Sequence, residues 1–219
     1  MEDGTLSIFA DGLRNPYGLT QDKEGNIYAS VLGYDDRGVR ASTNSPDWIV
    51  KLEEGAWYGW PDYAGTIPLW AKQYDSTRGI NRNPVIQDPP EVTAPLTSLP
   101  PHYSPMKIAW APENFPIKGI FVAAFGDGQP LTQDTKTQAP SGVLVVNPET
   151  GDYDWFVKTK NKARAGRRGD GLKRTIDVKF DKDGESLYVL DFGVWEFADM
   201  APNAIPKSGV LWKISKVND

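Results

Sequence analysis

Apolar residues recur along the chain in short runs with a period of two, and the runs come in pairs. The first pair spans 16–30, the second 105–124 and the third 174–190. Within each pair a polar turn separates two alternating strands. Asp22-Lys23-Glu24-Gly25 and Asp181-Lys182-Asp183-Gly184 have hairpin-turn chemistry: Gly supplies a positive φ, and Asp bonds the backbone that follows it. A further apolar run follows each pair, at 48–52, 142–147 and 209–214. Residues 153–157 read as an outer strand of the second unit, and Thr5 to Phe9 as a strand entering from a preceding unit. No segment of ten or more residues carries a helical period.

Repeated units of about four antiparallel strands predict an all-β fold, a β-propeller. The blades are expected at about 10–62, 103–158 and 172–216, within one domain over 1–219. The insertions at 33–46, 62–103, 126–141, 158–172 and 193–208 are long, and the second is rich in Pro. Loops of this length are expected to gather on one face and carry function. Typical propellers have about four to eight blades, so three leave raw sheet edges. That predicts a homodimer closing a ring, or dependence on a missing propeller half.

Composition supports this reading. Hydrophobic residues form 39% of the chain, with eight Trp, nine Tyr and eight Phe, enough for a packed core. The 21 Gly and 18 Pro favour turns and short strands. A net charge of −5 without a basic stripe argues against a nucleic-acid partner. The one basic cluster, Lys158 to Arg174, reads either as a solvated loop or as a cationic lip over an anionic ligand. The absence of cysteine excludes disulfides, thiol catalysis and zinc–thiolate sites. No apolar run is long enough to span a membrane, and the first twelve residues have no signal-peptide pattern.

Three motifs occur in a particular order: Leu13-Arg14-Asn15-Pro16-Tyr17-Gly18-Leu19, then Asp47-Trp48-Ile49-Val50-Lys51-Leu52, then Trp57-Tyr58-Gly59-Trp60-Pro61. Together with Ser104-Pro105-Met106-Lys107-Ile108 and Lys173-Arg174-Thr175-Ile176-Asp177-Val178, they resemble the later half of the pyrroloquinoline-quinone glucose and sorbosone dehydrogenases. The resemblance implies half of a six-bladed propeller, a sugar substrate, and a periplasmic or extracellular location. It implies pyrroloquinoline quinone as cofactor, contacted by Arg14, Asn15 and Arg174. It also implies Ca²⁺, held by Gly33, Tyr34, Asp47 and Tyr58, with Asp62 standing in for a family aspartate that is Pro68 here. Two departures bear on the cofactor: the family's second arginine is Ile176, and its lysine falls near Gly126.

The general base of the family lies in the earlier half of its propeller. No catalytic residue is assigned in this chain; His102, its single histidine, is the only imidazole available. No Gly-x-Ser-x-Gly elbow, Walker loop or His-Glu-x-x-His occurs. Two readings therefore stand: part of a quinoprotein sugar dehydrogenase, inactive or weak by itself, or a propeller scaffold that has lost the cofactor. A calcium-dependent lactonase is a third, but the glutamate its metal cage needs is not evident.

Overall fold

The structure, a computed structural model, describes residues 4–78, 83–128, 139–159, 171–198 and 201–216. The 158–174 basic cluster falls largely outside these residues.

The first blade begins with β1 (Pro16–Gln21), β2 (Ile27–Val31) and β3 (Asp47–Leu52), all antiparallel. The chain then makes a small hairpin, β4 (Tyr63–Ala64) with β5 (Ile67–Pro68), and a single 3-10 turn at Lys72–Tyr74. It returns as β6 (Thr97–Leu99) to complete the sheet in the order β1-β2-β3-β6. The fourth strand of this blade thus comes from the Pro-rich insertion, beyond the expected boundary at 62. Residues 4–10 form no strand: the Phe9 carbonyl accepts from Gly55 N–H at 2.7 Å, while Leu6 is 99% exposed.

The second blade has the order β10-β9-β8-β7, from β7 (Pro105–Trp110), β8 (Ile120–Ala124), β9 (Gly142–Val146) and β10 (Tyr153–Lys158). In the third, β11 (Thr175–Phe180) and β12 (Ser186–Asp191) pair with β15 (Val210–Ser215). Between them β13 (Trp195–Ala198) and β14 (Ala201–Ala204) form a separate hairpin, in a stretch expected to be loop. The third sheet has three strands among the described residues, not four.

Alternation along the strands builds three apolar layers. Tyr28 and Ile49 point into a core shared with Ile108, Ile120, Val122 and Leu144 of the second blade. The other face of the second blade, Phe121, Ala123 and Val143, packs on Val178, Leu187 and Val189 of the third. Phe115, Phe121, Phe156 and Phe180 meet edge-to-face there, with centroids 4.8–6.2 Å apart. The remaining face of the first blade, Ala29, Val31, Trp48 and Val50, is roofed by Tyr58, Leu69 and Tyr74 of the insertion. Each fully buried large apolar side chain contributes about 1.5–3 kcal/mol.

Blades therefore stack face to face, and what stays open is sheet face rather than the raw edge expected: β1 on the first blade, whose β2 and β3 the insertion roofs, and β15 on the third. Leu19 on β1 is 66% exposed and Leu211 on β15 is 62% exposed.

Candidate active site

One end of the stack gathers the starts of β1, β3, β7, β9, β11 and β15 with the ends of β2, β8 and β12. All the candidate residues named from the sequence, except the deeper Tyr58 and Asp62 of the insertion, sit on this end. The opposite end carries the short Asp-Gly turns.

A local rule recurs at this end in every blade. Two residues past the second strand stands a glycine: Gly33, Gly126 and Gly193. Each lies against the backbone that leads into the third strand. A Cβ would come 2.1 Å from the Pro46 carbonyl oxygen at Gly33, and 2.4 Å from Ser208 at Gly193. No side chain fits that approach.

Basic groups stand at the entry to each inner strand: Arg14 before β1, His102 before β7 and Arg174 before β11. The Arg14 Nη1 donates to the carbonyl of Gly33, and its guanidinium lies 5.1 Å from the Tyr34 ring centroid. The Arg174 Nη1 donates to the carbonyls of Phe125 (3.1 Å) and Asp127 (2.6 Å), and its guanidinium lies 5.0 Å from the Phe125 ring. Burial pushes the Arg174 guanidinium below its ordinary pKa, against the pull of Asp127 and Asp191. Both arginines thus present a guanidinium face held by a glycine loop and an aromatic ring. Asn15 is exposed beside Arg14, its carbonyl accepting from Leu32 N–H at 3.2 Å.

Two carboxylates pin the glycine loops. Asp47, fully buried, accepts from Gly33 N–H (2.7 Å) and Ser104 N–H (2.8 Å), tying the first blade to the entry of the second. Burial raises its pKa to about 6; the two N–H donors pull the other way. Asp191 accepts from Lys173, Arg174 and Gly193 N–H at 2.7–2.9 Å.

Of the residues expected to hold calcium, Asp62 and the Gly33 carbonyl are engaged within the protein. Asp62 is 1% exposed, and its carboxylate is taken by Arg40 Nη2 (2.8 Å) and by the N–H groups of Val85 and Ile86. A guanidinium stands where a cation would bind. The Gly33 carbonyl is likewise occupied by Arg14. The Tyr34 N–H and hydroxyl bond to Ser45 and Tyr63, and the Tyr58 hydroxyl donates to the Lys51 carbonyl at 2.6 Å. Among the described residues no three His, Cys, Asp or Glu side chains converge as a metal cluster. Calcium prefers about six to eight oxygens, many of them backbone carbonyls, and Asp62 is not free to be one of them.

His102 is buried, 4% exposed, with its Nδ1 3.7 Å from Asp35 Oδ1 and its Nε2 without a hydrogen-bond partner among the described residues. It has a positive φ of 62°. The repeated strand-end glycine aligns the blade entries: the carbonyls of Asn15, Ser104 and Arg174 accept from Leu32, Phe125 and Phe192 N–H, so His102 falls one position before the level of Arg14 and two before that of Arg174.

No family model and no curated protein matches the sequence. Solved structures do. The PQQ-bound aldose sugar dehydrogenase of Streptomyces coelicolor matches with TM-score 0.56 and 15% identity, over 95% of this chain and 45% of that one. The soluble aldose sugar dehydrogenase of Escherichia coli, in its apo form, matches with TM-score 0.51 and 20% identity, over 84% of this chain and 43% of that one. A calcium structure of a Trichoderma reesei carbohydrate-active enzyme of family AA12 matches with TM-score 0.52 and 16% identity, over 82% and 50%. The chain spans about half the length of these structures. No helix among the described residues is long and apolar enough to cross a membrane. The chain has the fold of three adjoining blades of the β-propeller seen in these sugar dehydrogenases.

Proposed function

We propose that the chain supplies one side of the cofactor face of a quinoprotein-type sugar dehydrogenase. The observation that carries this reading is the shared bracing of Arg14 and Arg174, which stand one position apart in the strand-entry register. Each stands at the entry of an inner strand, at the same end of the stack, with its guanidinium braced on a glycine-loop carbonyl and an aromatic ring. Inner strands border the channel of a propeller. Two braced guanidinium groups there suit a flat polyanion, because a guanidinium fork matches a carboxylate. Pyrroloquinoline quinone, a planar tricarboxylate, has that chemistry, and Asn15 adds an exposed amide beside Arg14.

When bound, such a quinone would accept the hydride from the sugar. Arg14 and Arg174 would neutralise and orient it. Asp47 and Asp191 would hold the two entry loops in place from behind. Among the described residues the one imidazole, His102, is enclosed beside Asp35 and offers no open general base. Turnover by this chain alone is therefore expected to be absent or weak, and the sugar, a small-molecule aldose, is assigned only as a class.

Enclosure of His102 and occupation of the calcium donors favour a second reading, a propeller that binds but does not oxidise. The test is titration of the 219-residue protein with pyrroloquinoline quinone, with and without calcium, following quinone absorption. A saturable shift that weakens at least tenfold in both Arg14→Ala and Arg174→Ala supports the cofactor face. Absence of binding at micromolar quinone rejects it. Binding without dye reduction by aldoses selects the non-oxidising alternative.

A further inference from the structure

Beside Arg14 an open pocket of about 420 Å³ lies between the loop after β2 and Trp60-Pro61. It is walled by Arg14, Arg37 and Arg40, with Asp35 among them and Tyr34 and Trp60 to either side. On a chain of net charge −5 this is a local concentration of cations. Arg40 is bound to Asp62 at 2.8 Å, and Asp35 takes the Arg37 Nε at 3.0 Å and lies 4.0 Å from the Arg14 Nη2. Three arginines against those two aspartates leave the wall one positive charge in excess. The Arg37 side chain is 55% exposed, and its two terminal nitrogens have no partner among the described residues. They form a free fork of the shape that takes a carboxylate through two parallel hydrogen bonds. Trp60 is 45% exposed and offers an apolar face to the same space. A pocket of a few hundred Å³ with one aromatic wall and a few convergent polar groups suits a small ligand.

We propose that this pocket binds an acidic monosaccharide, with Arg37 and Arg14 on the carboxylate and Trp60 against the ring. The sugar half of this proposal rests on the sugar-dehydrogenase reading above; the anion half rests on the three arginines alone. Asp35 is the specificity element. It holds Arg37 from behind and excludes a ligand with more negative charge than the arginines can balance.

Calorimetry on the whole protein at low salt, with glucuronate, glucose and acetate as separate probes, tests it. Glucuronate is expected to bind at least about tenfold more tightly than either glucose or acetate. Arg37→Ala should lose at least about fivefold of that affinity and Arg37→Glu nearly all of it, since the side chain is exposed and its charge is the contact. Trp60→Leu should bring glucuronate close to acetate. Equal binding of glucose and glucuronate, or an Arg37→Glu protein that binds as the parent does, overturns the proposal. Equal binding of acetate overturns its sugar half. The two readings fail separately: a quinone absorption shift without glucuronate binding rejects only this pocket, and glucuronate binding without a quinone shift rejects only the cofactor face.

Discussion

The Arg174 Nη1 lies 2.6 Å from the carbonyl oxygen of Asp127, so a side chain at the entry of the third blade closes the loop that ends β8 of the second. The same nitrogen serves the Phe125 carbonyl. Arg174→Ala therefore removes the donor from two carbonyls at once and a cation from above Phe125 and Trp195. A loss of about 1–3 kcal/mol is expected. Arg174→Lys should recover part of it, because an ammonium reaches one carbonyl but lacks the planar fork. Urea unfolding of the three proteins measures this. An unchanged midpoint in Arg174→Ala would mean that the two carbonyls find water instead.

Asp62 is expected to matter for folding, not for metal. Removing its charge by Asp62→Asn leaves Arg40 mostly buried and uncompensated, and unseats the N–H groups of Val85 and Ile86. Breaking a buried pair in this way costs about 3–5 kcal/mol. Thermal unfolding of Asp62→Asn should show it. Millimolar calcium should move the melting temperature of the parent protein by less than about 1 °C, because a ligand stabilises only if the folded state binds it. A large calcium-dependent rise would mean that calcium is held by the remaining carbonyls or displaces Arg40 from Asp62.

Turns were the most legible feature of the sequence, because their chemistry is local. Asp22 Oδ1 accepts from Asn26 N–H at 2.8 Å and Gly25 has a φ of 90°; Asp181 and Gly184 repeat the pattern. The strand β6 was not legible. Thr97-Ser98-Leu99 is three residues inside a Pro-rich stretch, and only its pairing with β3, Asp47 opposite Leu99, makes it a strand. The converse holds for Thr5 to Phe9, where an alternating pattern forms no strand and, among the described residues, only the Phe9 carbonyl is bonded, to Gly55 N–H. At the site, Arg14 and Arg174 could be named from motifs. The role of Asp62 could not, since its partners Arg40, Val85 and Ile86 are 22, 23 and 24 residues away and join it only through the folded insertion.

Asp47 gives the protein a pH dependence of defined sign. Its ordinary pKa of 3.8 rises to about 6 on folding, chiefly through burial. Between those values the folded state binds a proton that the unfolded state lacks, so stability from this group falls as pH rises. The contribution is complete below about pH 4 and is lost through pH 6, on the order of 3 kcal/mol in all. Other carboxylates superimpose their own slopes, so the quantity to measure is the difference between the parent and Asp47→Asn. That difference should move toward the parent as pH falls from neutral to about 4.5. A difference that is flat with pH, or moves the other way, would show that the N–H bonds from Gly33 and Ser104 outweigh the loss of solvation.

The open end faces set the behaviour of the chain in solution. Leu19 projects from β1, the strand of the first blade that the insertion leaves uncovered, and Leu211 projects from β15 of the third with the exposed Leu190 opposite it. In the interior of the stack the matching positions are covered by the next sheet. Two such faces on opposite ends of one molecule make a head-to-tail contact, which closes into a ring or grows into an open chain according to the angle. The 219-residue protein by itself is thus expected to self-associate with rising concentration, and two copies would bring six blades together. Leu19→Lys and Leu211→Lys each place a charge on one face only, and either should be enough to break a contact that needs both. Sedimentation across a tenfold range of concentration distinguishes the outcomes. A parent protein that stays monomeric throughout would mean that these leucines are tolerated in water, and that the exposed faces are too small to drive association.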